Sequence, residues 1–160
     1  MIIGVPSESY PGERRVALVP LVVPTLTKAG FEVLIETNAG QHAGYLDSAY
    51  VEKSAKIAPD RATVFAQSDI IIQLLSFGSN DLTGDKDLPL IRKGQIIIGF
   101  LRPFGTKEVV QAVADRGATS PPRNAARGRL SLRGARRATG NRQPSWRVVD
   151  EIASSMCSSQ

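Results

Sequence analysis

The sequence predicts an α/β protein built on a doubly wound, mainly parallel sheet. Short apolar runs alternate with segments of helical period over residues 1–119. The run Ile70-Ile71-Ile72 is apolar without alternation, which suits a strand covered on both faces. The strands are spaced so that a helix fits between them, the mark of βαβ units.

Residues 2–5 read as the first strand, bounded by Pro6. Residues 20–29 read as a helix. Pro20 suits its first position, Val22, Val23, Leu26 and Ala29 share a face, and Gly30 supplies a left-handed stop. Pro24 works against this helix, because a proline inside the pattern deletes a donor and clashes with the turn before it. Residues 31–36 form a second strand. Asp47 is expected to cap a helix through Ser54, with Tyr50 and Val51 facing inward, and Asp60 to cap a helix over 61–67. Residues 69–75 are a strand, 76–86 a polar loop, 88–92 one helical turn and 95–101 a further buried strand. Thr106 is expected to cap a last helix through Asp115, stopped by Gly117. This order is Rossmann- or flavodoxin-like. Ligands on such sheets gather at the carboxyl ends of the strands, here residues 6–15, 37–44, 76–80 and 102–105.

After Thr119 the pattern stops. Residues 120–160 hold eight arginines against two acids, a net of +6, so the rest of the chain carries −1 of the overall +5. Two domains of composition follow, a folded body over 1–119 and an Arg-rich tail over 120–160, in which only 146–152 suggests a short ordered piece. The tail is too poor in large apolar residues to offset its ordering entropy, so it is expected to be disordered, or the product of a shifted reading frame in GC-rich DNA. With Trp146 as its only aromatic, it predicts no specific nucleic-acid recognition.

With 160 residues, 42% of them hydrophobic and 22% charged, the composition is that of a soluble globular protein, and no apolar run is long enough to span a bilayer. The first residues lack the basic segment of a secretory signal. A single cysteine, Cys157, and a single histidine, His42, predict neither a disulfide framework nor a metal site. The setting expected is cytoplasmic and reducing.

The segment Ile3-Gly4-Val5-Pro6-Ser7-Glu8-Ser9-Tyr10-Pro11-Gly12-Glu13-Arg14-Arg15-Val16-Ala17-Leu18-Val19-Pro20 resembles the opening of a known domain. It is the N-terminal domain shared by alanine dehydrogenases and the α subunit of proton-translocating NAD(P) transhydrogenases. Residues 31–40 resemble the next strand and its Ala-Gly turn, and 47–55, 68–75 and 93–101 keep the register. Two departures separate the branches. Leu75 stands where alanine dehydrogenases place a substrate-binding lysine, and Arg102 where they place a histidine. Leucine carries no charge and arginine does not release a proton near neutrality. Phe100-Leu101-Arg102-Pro103 and Pro11-Gly12-Glu13 lean toward the transhydrogenases, whereas Arg15 matches both branches.

The resemblance implies hydride transfer between NADH and NADP, coupled to proton translocation in the intact complex. It implies NAD as cofactor, held mainly by a second domain, since no Gly-x-Gly-x-x-Gly occurs in these residues. It also implies a membrane β subunit and an NADP-binding component as partners, a homodimer, and a place peripheral to the inner membrane. This chain is then the N-terminal fragment of the α subunit, inactive by itself. The alternatives are an alanine dehydrogenase-like oxidoreductase and a truncated, non-catalytic binding domain.

No catalytic or metal-binding residue is assigned. Arg15, Gln73 and Arg102 are expected at the cleft. Arg15 either grips an anion through a bidentate pair or is spent on an ion pair with Glu8 or Glu13. Glu8 either orients Arg15 or caps a turn. Gln73 offers an amide to a ligand and Arg102 a charge to a phosphate, unless both merely line a solvent-filled cleft. His42 is expected to be solvated.

Overall fold

The apolar runs become five parallel strands of one sheet in the computed structural model, which describes residues 1–100 and 107–118. The strands are β1 (Ile2–Val5), β2 (Glu32–Glu36), β3 (Lys56–Ala58), β4 (Ile70–Leu75) and β5 (Ile96–Phe100), and their order is β3-β2-β1-β4-β5. Four helices connect or follow them: α1 (Val23–Lys28), α2 (Asp47–Val51), α3 (Arg61–Gln67) and α4 (Lys107–Asp115). All described residues lie in the unit Met1–Thr119. The chain builds outward from β1 to β2 and β3, then crosses back to lay β4 on the other side of β1. With right-handed crossovers, that reversal sends α3 to the face opposite α1.

The α3 face of the core joins Leu34, Ile71 and Ile97 of the sheet to Val64 and Phe65 of α3 and Val113 of α4. Each such side chain contributes about 2 kcal/mol by leaving water. Gly4 lies between Leu34 and Ile71 in the same cross-strand row. A Cβ there would come within 2.2 Å of Ser68 Oγ and 2.8 Å of Val64 Cγ1, so this glycine is what lets α3 lie on the central strand. The alternate residues Ile3, Val33, Ile35, Ile70, Ile72, Ile96 and Ile98 are buried on the opposite face.

Several local expectations are corrected. The difficulty over Pro24 dissolves because the segment is two pieces. A 3₁₀ turn (Pro20–Val22) precedes α1, which places Pro24 in the first turn of α1, where no intrahelical donor is required. Ala29 is exposed rather than on the buried face. Asp47 does not cap α2. Its carboxylate accepts from Thr37 Oγ1 at 2.8 Å and from the Asn38 amide at 2.9 Å, tying the loop after β2, and α2 ends at Val51. Tyr50 is buried and donates its hydroxyl to the Leu18 carbonyl at 2.9 Å, but Val51 is 55% exposed. The short strand β3 escapes sequence reading, because three residues are too few to show a period. The expected turn over 88–92 is a 3₁₀ helix over Gly84–Leu90. Asp60 caps α3 as expected, accepting from the Thr63 amide at 2.7 Å. At the other end of α3, Arg92 and Gln95 donate to the carbonyls of Phe65 and Ser68. The Thr106 cap lies outside the described residues.

Candidate functional site

In an open parallel sheet the ligand crevice lies at the carboxyl edge, where the strand order reverses. The reversal here falls between β1 and β4. These strands pair only at Ile3↔Ile70 and Gly4↔Ile71, so the last residues of β4 have no β1 partner. The loop after β1 returns a side chain instead. The Leu74 amide donates to Glu8 Oε1 at 2.6 Å and the Leu75 amide to Glu8 Oε2 at 3.1 Å. Successive amides of a regular strand point to opposite edges. Here the register with β5 shifts between Ile72 and Leu75, a bulge that allows both to face one carboxylate. Burial pushes the Glu8 carboxyl above its usual pKa, against the pull of the two amides and of Arg61.

Beside Glu8 lies a second set of buried charges, centred on Arg61 at the first position of α3. Arg61 Nε donates to Asp87 Oδ1 at 2.5 Å and Nη2 to Asp87 Oδ2 at 2.6 Å, a bidentate pair. Nη1 donates to the Ser7 carbonyl at 2.6 Å and lies 3.6 Å from Glu36 Oε2. Glu36 in turn accepts from the Ser7 amide at 2.8 Å, and burial raises its pKa. Burial disfavours the charge on Arg61, but the Asp87 bonds and the charges of Glu36 and Glu8 outweigh it and raise its pKa. Arg61 therefore pins α3, the loop after β1 and the 3₁₀ helix into one edge. Each of its three guanidinium nitrogens is bonded to the protein.

The predicted cleft residues have separate fates. Arg15 is 55% exposed along its side chain and pairs with Glu13, Nε to Oε1 at 2.9 Å and Nη2 to Oε2 at 2.7 Å. That pairing, chiefly its hydrogen bonds, holds the Glu13 carboxyl down at about 2. Glu8 serves the β4 amides rather than hydrogen-bonding Arg15, and acts on Arg15 only through its charge. Gln73 is 2% exposed, and its Nε2 donates to Asp87 Oδ2 at 3.2 Å. Its Oε1 is buried without a hydrogen-bond partner, as is Ser76 Oγ. Arg102 lies outside the described residues. His42 is exposed in a 3₁₀ turn. Sequence reasoning missed Arg61, Asp87 and Glu36. No local signal marks them, because Arg61 meets Asp87 across 26 positions and Ser7 across 54.

Among the described residues no group of three or more acidic, histidine or cysteine side chains is placed to hold a metal. Among the described residues no helix is long and apolar enough to cross a membrane. A dinucleotide fits this crevice poorly. Pyrophosphate binding in this topology uses a tight glycine turn and a helix N-terminus directly after the first strand. Here residues 6–19 separate β1 from the first helical turn, prolines occupy the openings of both helical pieces, and a carboxylate already holds the amides that face the crevice.

Comparison with known proteins identifies the domain. Residues 4–121 match the family described as alanine dehydrogenase/PNT, N-terminal domain. The chain is 34% identical over 119 residues to the NAD(P) transhydrogenase subunit alpha of Cereibacter sphaeroides, covering 74% of this chain and 22% of that one. It is 32% identical over 120 residues to alanine dehydrogenase 1 of Staphylococcus aureus, covering 75% of this chain and 30% of that one. The crystal structure of transhydrogenase from Sinorhizobium meliloti superposes with a TM-score of 0.69 at 25% identity, over 84% of this chain and 38% of that one. The chain thus spans about a fifth to a third of the length of such relatives. A five-stranded parallel sheet, a Pro-opened first helix and a profile match over most of its length place this chain in the alanine dehydrogenase/PNT N-terminal domain family of oxidoreductases.

Proposed function

We propose that this chain is the N-terminal part of an NAD(P) transhydrogenase α subunit, framing one wall of a cleft whose dinucleotide is bound elsewhere. In the complete assembly the reaction is hydride transfer between NADH and NADP coupled to proton movement, with a membrane β subunit, an NADP-binding component and a second α subunit as partners. In that assembly this chain is peripheral to the inner membrane, on its cytoplasmic side. The observation that carries the reading is the first strand-to-helix connection, which has the topology of a nucleotide fold but neither its glycine turn nor its amide fan. Arg15, with its exposed guanidinium, is the group best disposed to meet a ligand, and Gln73, buried against Asp87, stands at the same edge. Residues 1–119 are the family domain, and 120–160 depart from it.

The alternative reading, an alanine dehydrogenase-like oxidoreductase, has Leu75 and Arg102 against it, and Arg15, which matches both branches, does not separate the two. The direct test is titration of the purified 160-residue chain with NADH, followed by coenzyme fluorescence. No saturable binding is expected at micromolar concentration, and a tight isotherm would refute the assignment of the cofactor site to another domain. Reading the coding DNA beyond codon 119 in all three frames tests the subunit assignment. An Arg-Ala-Gln-Ser-Met-Asp loop followed by Gly-x-Gly-x-x-Gly downstream supports it, and the absence of both from every frame counts against it.

A further inference from the structure

The crevice at the strand reversal is already liganded, by the protein itself. Two adjacent amides of the β4 bulge converge on one carboxylate, at 2.6 and 3.1 Å. The arrangement is a small built anion site of the kind successive backbone N–H groups make elsewhere. Gly99 supports its shape from β5. A Cβ at Gly99 would sit 2.6 Å from the Gln73 carbonyl oxygen and 2.9 Å from Ser76 Cβ, so only glycine lets β5 follow the bulge this closely. The charges around the carboxylate are also set for an anion. Arg61 and Arg15 both attract it, and Glu13 alone among the principal charged neighbours repels it.

We propose that the amides of Leu74 and Leu75 form a carboxylate-binding site that Glu8 occupies in cis, and that a small free monocarboxylate occupies when the Glu8 side chain is removed. The occupant is planar with two oxygens, because two donors face it side by side. Chloride, a single spherical acceptor, meets both donors only at one centre and so matches two separate oxygen positions less well. The inference does not depend on the transhydrogenase reading, since the amides belong to the sheet and not to any cofactor site.

The test is chemical rescue of the full chain. Glu8→Ala leaves two amides facing an open crevice and is expected to lower the melting temperature. Sodium formate is then expected to raise it by about 5 °C at ten times its dissociation constant, against sodium chloride of equal ionic strength. The wild-type chain, whose site is filled, is expected to show no formate-specific rise. Amide proton and nitrogen shifts of Leu74 and Leu75 in E8A are expected to saturate at lower concentration with formate than with chloride. Equal responses of E8A to formate and chloride, or an equal formate response in the wild type, would overturn the proposal. So would an E8A chain that folds in neither salt, because the site would then have no existence apart from its own carboxylate. Glu8→Gln separates shape from charge. Its amide nitrogen meets a second donor, so it is expected to lose stability as E8A does but to gain nothing from formate. A formate-specific gain in E8Q equal to that in E8A would place the anion elsewhere and overturn the proposal.

Discussion

Replacing Arg61 with alanine tests whether the buried charges at the carboxyl edge hold the fold together. The substitution removes both bonds to Asp87, at 2.5 and 2.6 Å, and the bond to the Ser7 carbonyl at 2.6 Å. Asp87, 3% exposed, is left with Gln73 Nε2 at 3.2 Å. Breaking a buried pair by removing one partner costs about 3–5 kcal/mol, most of it the penalty of the charge left behind. The Arg61 side chain is 21% exposed, so water reaches part of the vacated space, and the lower end applies, about 3 kcal/mol. For a chain of this size that is a fall of roughly 10 °C in melting temperature. Urea unfolding followed by far-ultraviolet circular dichroism measures it as a lower midpoint at unchanged slope. A loss below about 1 kcal/mol would refute the reasoning, because it is the worth of a solvent-screened surface pair. Arg61→Met combined with Asp87→Leu should cost less than R61A alone, since it removes both charges and refills the space.

Two further outcomes follow from the same edge and from the centre of the sheet. Gly4→Ala should destabilise by about 1–3 kcal/mol in urea, and Ser68→Gly in the same chain should recover part of the loss, because Ser68 Oγ is the nearest atom to the new methyl group. Acid melts should show the Glu13–Arg15 pair. The folded-state pKa of Glu13 lies near 2, below its usual 4.5, so its contribution is present above pH 4.5 and is lost as pH falls toward 2. Glu13→Gln should flatten the stability curve in that window. Glu8 and Glu36, raised by burial, work with the opposite sign and cost stability as pH rises above 4.5. An unchanged acid limb in E13Q would show that the pair does not persist in solution.

The sequence by itself determined the class of the fold and most of its elements. β1, β2, β4 and β5 are legible as apolar runs, and the Asp60 cap and the helix it opens are legible as a local motif, because burial and capping leave their mark within a few residues. β3 is not legible. Lys56, Ile57 and Ala58 become a strand only by lying beside Leu34, Ile35 and Glu36. The two helical pieces around Pro20 and Pro24 show why a proline that argues against one helix is compatible with two.

Only the tertiary structure decided what the charged residues do. Glu8 was visible as an acid in a loop, but its partners are amides 66 and 67 residues away. Arg61 and Asp87 carry no local mark of burial, because they lie 26 positions apart and Ser7 lies 54 positions from Arg61. Their pairing exists because the chain crosses back over β1, which brings the ends of β1, β2 and β4 to one edge. Apolar pattern is written along the chain because each side chain meets the same core. The partner of a buried charge is set by the crossover, and nothing near it in the sequence carries that information.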